Sequence, residues 1–221
     1  VDAATVTASF DVATSVASIV AAAASPAAGS GSTINLTVGM DTISGTTGAD
    51  AIYGVLTGTA STTTLEAFDT IDGGAGSDLL DIALSGANFD GDTTISNVET
   101  IKVKATGGTR TFDADSISGL TLLQSKQSSQ NLTVTNLEAT TTELGLFKDS
   151  SANTTSVTYK NAALAGTADN ITLNLERVSA AENVTLLSSG TNDIETVTLN
   201  STGIVKNNIG TLIVDDSGGA N

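Results

Sequence analysis

The 221-residue chain contains no cysteine, no histidine and a single proline. Without cysteine there is no disulfide framework and no thiolate chemistry, and without histidine the commonest general base and the usual zinc ligand are missing. A secreted protein of this composition would gain its rigidity from packing, repetition or a bound metal. These absences favour a structural or binding protein, and we expect no enzymatic activity.

Aromatic residues are also scarce, at 3% of the chain. A globular core of this size normally uses more of these large side chains. Solenoids need few of them, because their core is a narrow column filled by small aliphatic and β-branched residues. The scarcity therefore favours a repetitive architecture over a single globular core.

Basic residues are few as well, since 8 Lys and Arg stand against 24 Asp and Glu, for a formal charge of −16. This balance argues against a nucleic-acid partner, whose phosphates require Lys and Arg. It favours a cation as the partner.

Against these absences stands one motif. Residues 73 to 81 fit the calcium-binding nonapeptide pattern G-G-x-G-x-D-x-U-x at every specified position. Three glycines allow a turn with positive φ whose carbonyls aim at one point, and Asp78 adds a hard anionic oxygen. Leu80, at the apolar position, is expected to point inward and to begin a short strand.

A second copy lies upstream at residues 45 to 53 and keeps the first and fourth positions, the aspartate (Asp50) and the inward apolar residue. It has Thr46 in place of the second glycine. Because the motif occurs twice, the sequence predicts a roll of stacked calcium-binding turns and not a single isolated turn.

Each copy follows a half-copy nine residues earlier, because Asp41 precedes Asp50 and Asp69 precedes Asp78 at that distance. The two pairs are offset by 28 residues, whereas two uninterrupted nonapeptides would give an offset of about 18. Ten extra residues are therefore expected to loop out within residues 54 to 66, a stretch rich in Thr, Ser and Gly.

With that loop set aside, the turn at 45 to 50 is expected to stack on the turn at 73 to 78, with Ca²⁺ between them bound by Asp50, Asp78 and loop carbonyls. The turn of Asp41 would stack likewise on that of Asp69. The alternative, a turn without an ion, is disfavoured because stacked unpaired carboxylates repel each other. The candidate metal-site residues are Asp41, Gly45, Thr47, Gly48, Asp50, Asp69, Asp72, Gly73, Gly74, Ala75, Gly76 and Asp78.

The first segment differs in character from the rest. Residues 11 to 25 are rich in Ala, with Val and Ile at helical spacing and Pro26 just beyond, which predicts a helix. It is too short to span a membrane and lacks the basic region of a signal peptide. Because the chain opens on Val, we expect it to be part of a longer protein, with residues 1 to 25 ending a helical domain and 26 to 33 forming a linker.

Short alternating apolar runs separated by polar turns follow the calcium segment. They suit an antiparallel sandwich or a parallel solenoid. Continuity with the calcium turns favours an all-β parallel β-solenoid or β-roll, with residues 34 to 94 as its calcium-binding part and 95 to 221 as a Thr/Asn-rich continuation. Residues 97 to 103 (NVETIKV) echo residues 193 to 199 (DIETVTL). Strands are predicted near residues 100–103, 120–123, 132–135, 144–147, 156–160, 171–175, 184–187, 196–199 and 212–214.

Two further acid pairs have the spacing found in calcium loops: Asp90 with Asp92, and Asp113 with Asp115. Neither is accompanied by a full ligand set, and we interpret them as solvated turn residues. The same applies to residues 215 and 216, which lie too near the end of the sequence to assess.

Residues 32 to 50, 68 to 80 and 95 to 101 together resemble the start of the lattice-forming part of calcium-dependent surface-layer proteins of proteobacteria, within the wider RTX group. The resemblance implies a β-solenoid that binds several Ca²⁺ ions and forms a two-dimensional lattice of identical copies at the cell surface. It also implies an upstream helical domain bound to outer-membrane polysaccharide, and type I secretion to the extracellular space. The tandem array of calcium turns of this family is missing here.

We therefore expect a structural surface-layer protein that folds and self-assembles when it binds calcium, with no membrane insertion. A type I secreted adhesin or biofilm-matrix protein would share all of these features. A secreted β-helix hydrolase is a further alternative, which would need acids together with Lys or Arg on one face of the solenoid.

Overall fold

The computed structural model describes residues 29 to 214. The predicted helix at 11 to 25, Asp215 and Asp216 lie outside the described residues. In the described part, the chain forms sixteen strands and one short 3₁₀ turn at Asn161–Leu164. The strands are β1 Thr33–Asn35, β2 Thr42–Ser44, β3 Ala51–Leu56, β4 Thr70–Asp72, β5 Leu79–Leu84, β6 Thr94–Ser96, β7 Thr100–Ala105, β8 Arg110–Asp113, β9 Leu122–Lys126, β10 Leu132–Leu137, β11 Glu143–Phe147, β12 Thr154–Tyr159, β13 Asn170–Glu176, β14 Glu182–Ser188, β15 Thr196–Thr202 and β16 Ile209–Val214.

The strands stack into a parallel β-solenoid, as predicted. The odd-numbered strands form one sheet in the order β1-β3-β5-β7-β9-β11-β13-β15, and the even-numbered strands form a three-stranded sheet, β2-β4-β6, and a five-stranded sheet, β8-β10-β12-β14-β16. Every pairing between strands is parallel. We call one circuit of the chain, from one odd-numbered strand to the next, a rung.

The core is a column of aliphatic side chains between these sheets. In β5 and β7 every second residue is buried, so that Leu80, Ile82 and Leu84 face inward beside Ile101 and Val103. Side chains alternate between the two faces of a strand, and parallel stacking brings like positions of successive rungs together. The aromatic exceptions are Phe89, Phe112 and Tyr159, and the ring centroids of Phe89 and Phe112 lie 4.8 Å apart in a stacked arrangement.

The predicted strands after residue 95 are confirmed, with bounds that differ by a few residues from those predicted. The nine predicted runs overlap β7, β9, β10, β11, β12, β13, β14, β15 and β16. The eight-stranded sheet crosses residue 95 without a break, because β5 pairs directly with β7. Residues 34 to 94, which contain the two nonapeptide turns, and the Thr/Asn-rich residues that follow them therefore share one continuous core.

The insertion between the two nonapeptide copies starts later than expected. Residues 54 to 56 belong to β3 and pair with β5 in register, so that Leu56 lies beside Leu84. The excursion begins at Thr57 and returns through Leu65, whose side chain is 1% exposed. The Thr, Ser and Gly composition identified the loop, but inward packing of Leu56 and Leu65 sets its limits.

Candidate metal centre

The turns before the odd-numbered strands are joined by a ladder of acidic side chains. The backbone N–H of Ser32 donates to Oδ1 of Asp50, and the backbone N–H of Asp50 donates to Oδ1 of Asp78 at 2.7 Å. Asp50 is 2% exposed and Asp78 is fully buried. The predicted stacking of the turn at 45 to 50 on the turn at 73 to 78 is confirmed, since β3 pairs with β5 at the same place.

The ladder continues to a residue that sequence analysis did not single out. The backbone N–H of Asp78 donates to Oε2 of Glu99 at 2.7 Å, and Glu99 directly precedes β7. The same bond recurs further along the solenoid, where the N–H of Asp169 donates to Oε2 of Glu195. The similarity of residues 97 to 103 to residues 193 to 199 could have identified these glutamates from the sequence. It places Glu99 and Glu195 at matching positions, each directly before an odd-numbered strand. We call Asp50, Asp78 and Glu99 the acidic ladder.

A second set of acidic contacts joins the turns before β2 and β4. The backbone N–H of Asp41 donates to Oδ1 of Asp69 at 2.8 Å, and Glu66 N–H donates to Oδ2 of Asp69 at 2.8 Å. Asp41 in turn accepts the N–H and hydroxyl of Thr37. Asp69 is fully buried. The predicted stacking of these two half-copies is confirmed by the pairing of β2 with β4.

Glycines of the motif let the backbones of successive turns touch. A Cβ on Gly45 would lie 1.9 Å from the Gly73 carbonyl oxygen and 2.8 Å from Oδ2 of Asp50. One rung later the pattern repeats, because a Cβ on Gly73 would lie 2.0 Å from the Asn97 carbonyl oxygen and 2.9 Å from Oδ2 of Asp78. At both places a carbonyl oxygen and a carboxylate oxygen converge on the space that only glycine leaves free.

Gly74 and Gly76 have positive φ values, 87° and 140°, and shape the same turn. Such values are strained for residues with a Cβ. A Cβ on Gly76 would also lie 2.6 Å from the Gly48 carbonyl oxygen. The motif glycines are therefore required by backbone conformation as well as by close approach.

The remaining predicted residues line the same turns in supporting positions. Ala75 N–H donates to the Thr46 carbonyl oxygen at 3.1 Å, which ties the two turns together. The Thr47 hydroxyl oxygen lies close to Gly29, on the side of the first rung. Oδ1 of Asp72 accepts the Asn97 side-chain amide at 2.8 Å, and this contact, ahead of the Gly74 N–H, holds the pKa of Asp72 below its usual value.

Within the acidic ladder, the pKa values of Asp50 and Asp78 are shifted in opposite directions. The backbone N–H of Thr46 donates to Oδ2 of Asp50 at 2.6 Å and holds the pKa of that carboxyl below its usual value. Burial raises the pKa of Asp78, and the charges of Glu99, Asp50 and Asp72 raise it further. Oδ2 of Asp78 is buried and has no hydrogen-bond partner. Asp78 is therefore a buried carboxyl that lacks a positive neighbour.

The stacked turns offer some of the oxygen ligands that a hard cation such as Ca²⁺ requires, but not a complete set of acidic side chains. Calcium takes 6 to 8 oxygen ligands, and it accepts carboxylate and backbone carbonyl oxygens. Oδ2 of Asp78 and the carbonyls that converge at Gly45 and Gly73 are oxygens of that kind. Among residues 29 to 214, no three acidic side chains come together as a group that could hold a metal ion. Any calcium here would therefore depend on backbone carbonyls and water.

The other acid pairs form separate contacts. Asp113 accepts the side-chain amide of Asn136, and Asp115 forms an ion pair with Lys160, which also contacts Glu138. Asp90 and Asp92 are exposed. Our interpretation as solvated turn residues agrees with the exposed positions of Asp90, Asp92 and Asp115, but it is wrong for Asp113, which is the half-buried last residue of β8.

No protein-family model matches this chain, and no curated protein matches it either. Within the described residues, no helix has the length and apolar character needed to cross a membrane.

Proposed function

We propose that this chain is a calcium-binding β-solenoid in which ions bound at the stacked turns complete folding, and that the folded solenoid is a building block of a cell-surface layer. The observation that carries the calcium part is Oδ2 of Asp78, a buried carboxylate oxygen without a partner in a turn that matches the nonapeptide at every position. Under this proposal, Oδ2 of Asp50 with the Gly73 carbonyl, and Oδ2 of Asp78 with the Asn97 carbonyl, bind the ions.

Folding and calcium binding are coupled by the acidic ladder. With no cation, burial and three neighbouring carboxylates disfavour the ionised form of Asp78. A bound Ca²⁺ supplies the missing positive charge, and its binding free energy then contributes to folding. Extracellular calcium modules have Kd values of about 10⁻⁴ to 10⁻³ M. The chain would stay loosely folded where calcium is scarce and complete its fold outside the cell, after type I secretion.

The lattice part is supported by the resemblance of residues 32 to 50, 68 to 80 and 95 to 101 to the lattice-forming part of calcium-dependent surface-layer proteins of proteobacteria. In such a lattice, identical copies would pack against one another at the cell surface.

For the hydrolase alternative, the solenoid has a groove in which an acid lies beside lysines, but the groove lacks a second carboxyl group. The groove beside Tyr53, on the outer face of the eight-stranded sheet, has a volume of about 470 Å³, and Asp81, Lys104 and Lys126 line it. Asp81 is the one acid among its lining residues and forms an ion pair with Lys126. Glycoside hydrolysis uses two carboxyl groups, so the groove offers no second group for that role.

The test is a calcium titration of the chain from chelator to about 10 mM, a range that brackets the affinity of extracellular modules. Circular dichroism would follow folding, and analytical ultracentrifugation would follow assembly. We expect a cooperative gain of β structure followed by assembly. Folding without assembly would leave the calcium sites standing and favour the adhesin or biofilm-matrix protein. No response to calcium would contradict the proposal.

A further inference from the structure

The middle of the solenoid contains a second group of buried acids, away from the predicted calcium turns. Asp149 follows β11, and Glu182 is the first residue of β14. Both side chains are fully buried. The backbone brings them together, because Ser179 N–H donates to the Asp149 carbonyl oxygen at 3.0 Å, three residues before Glu182. Their carboxyl groups are near enough for each to shift the pKa of the other.

Each carboxyl group uses one oxygen and leaves the other free. Oδ1 of Asp149 accepts the Ser128 N–H at 2.7 Å, and Oε1 of Glu182 accepts the Thr155 hydroxyl at 2.7 Å. Oδ2 of Asp149 and Oε2 of Glu182 are buried and have no partner. Two carboxylate oxygens side by side repel each other, whereas a proton between them makes a strong hydrogen bond.

No positive side chain offsets this pair. The ion pairs of residues 29 to 214 join Lys126 to Asp81, and Lys160 to Asp115 and Glu138. Lys148, next to Asp149, lies over the ring of Phe147 with its Nζ 4.6 Å from the ring centroid, and Arg177 is exposed. The groups that face the pair from β9, its following turn and β12 are neutral: Ser125, the Gln127 and Ser128 N–H groups, and Thr155.

We infer that Asp149 and Glu182 share one proton, and that this proton closes a pH-sensitive latch between the turn after β11 and the start of β14. A doubly ionised pair without a positive partner would be costly at full burial. The latch closes when the proton binds and opens when it leaves.

The pair also gives the direction of the response. Burial raises the pKa of Asp149, and burial together with the Asp149 charge raises the pKa of Glu182 to about 8. A group whose pKa is raised by folding stabilises the fold below its unfolded pKa and loses that contribution as pH rises through the folded value. The latch therefore weakens between pH 4.5, the ordinary pKa of a glutamate, and about 8. Two carboxyl groups coupled this closely titrate as a unit.

The experiment compares the wild-type chain with Glu182→Gln and Asp149→Asn in urea unfolding from pH 5 to 9, in saturating calcium. The wild-type unfolding constant should rise by up to about tenfold per pH unit across the window, the slope for one proton. Glu182→Gln keeps the shape of the side chain and cannot ionise, so it should lose this slope and be more stable than wild type at the upper end. Asp90→Asn, at an exposed acid, should keep the wild-type slope. A wild-type slope that persists in Glu182→Gln would overturn the inference.

A direct measurement covers the case in which the variants do not fold. Infrared spectroscopy of the wild-type chain near pH 6.5 should show the C=O band of a protonated carboxyl, and the band should disappear as the solution is made alkaline. Absence of the band would contradict the shared proton. Wild-type stability at high pH that rises with added Na⁺ or Mg²⁺, and not in Glu182→Gln, would identify a cation site instead.

Discussion

The backbone N–H of Asp50 donates a hydrogen bond to Oδ1 of Asp78, which lies 28 residues further along the chain. The bond joins the two nonapeptide turns. Because Ser32 N–H donates to Asp50 and Asp78 N–H donates to Glu99, each aspartate is both a donor through its backbone and an acceptor through its side chain. The bond between Asp50 and Asp78 leaves Oδ2 of Asp78 buried and unpartnered. The contact therefore holds the turns in register and, at the same time, leaves one carboxylate oxygen without a partner, the oxygen that we propose binds a cation.

Removing both aspartates should abolish the calcium response. In Asp50→Ala combined with Asp78→Ala, the anionic oxygens of the two stacked turns are lost, so we expect calcium to produce no ordering of the first rungs. Circular dichroism with and without calcium measures this. Asp92→Asn, at an exposed acid of the same half of the chain, is the matched control and should respond as wild type does. A double variant that still orders with calcium would refute the proposed site.

Gly73→Ala should destabilise the first rungs. The added Cβ would lie 2.0 Å from the Asn97 carbonyl oxygen, so the backbone of one of the two turns must move. Overpacking of this kind costs about 1 to 3 kcal/mol of unfolding free energy, measurable by urea denaturation. Gly166→Ala is the control, since a Cβ there meets its nearest neighbour at 3.7 Å. Equal stability of the two variants would show that the turns are not in close contact.

Calcium binding should weaken as the solution becomes more acidic. The pKa of Asp78 is raised by burial first and then by Glu99, Asp50 and Asp72, so its carboxyl takes up a proton at a higher pH than an ordinary aspartate, and calcium must displace that proton. Titration calorimetry in two buffers of different ionisation enthalpy would measure the protons released. We expect the wild type to release more protons than Asp78→Asn, with the difference growing as pH falls. Equal release in both would place the titrating group elsewhere.

The calcium-free protein should show opposite pH trends at the two aspartates. Asp78, with its raised pKa, contributes most stability below its unfolded pKa of 3.8, and this contribution is lost as pH rises through the folded value. Asp50, with its lowered pKa, contributes above 3.8 and loses that contribution as pH falls through the folded value. Unfolding of Asp78→Asn and Asp50→Asn across pH 3 to 7 would separate the two trends. Identical profiles would contradict the assignment.

Tyr159→Phe should stabilise the solenoid slightly. Tyr159 is fully buried in β12 and its hydroxyl has no partner, while burial raises the pKa of the phenol. Leaving a buried hydroxyl unsatisfied costs about 1 to 3 kcal/mol, and the phenylalanine ring keeps the packing. Thermal unfolding would show a higher midpoint for Tyr159→Phe and no shift for Tyr53→Phe, at an exposed tyrosine. A lower midpoint for Tyr159→Phe would reveal a bonding partner for the hydroxyl.

Much of the fold could be predicted because the informative patterns are local. The nonapeptide places its glycines and aspartate within one turn, and alternation at positions such as Ile101 and Val103 identifies the inward face of a strand. The limits of the long insertion could not be predicted in the same way. They depend on Leu56 and Leu65 reaching a core that exists only when the neighbouring rungs are stacked.

The sequence by itself determined the two nonapeptide turns and the pairing of their half-copies, because both follow from short-range spacing, and continuity with these turns favoured the parallel β-solenoid over a sandwich. Tertiary structure alone decided which polar groups meet across rungs. Asp50 reaches Asp78 over 28 residues, but Asp78 reaches Glu99 over 21, because loops of unequal length leave the column between rungs. The meeting of Asp149 and Glu182 is of the same kind. Core packing and the backbone ladder set the register between rungs, so distance along the chain does not predict these contacts.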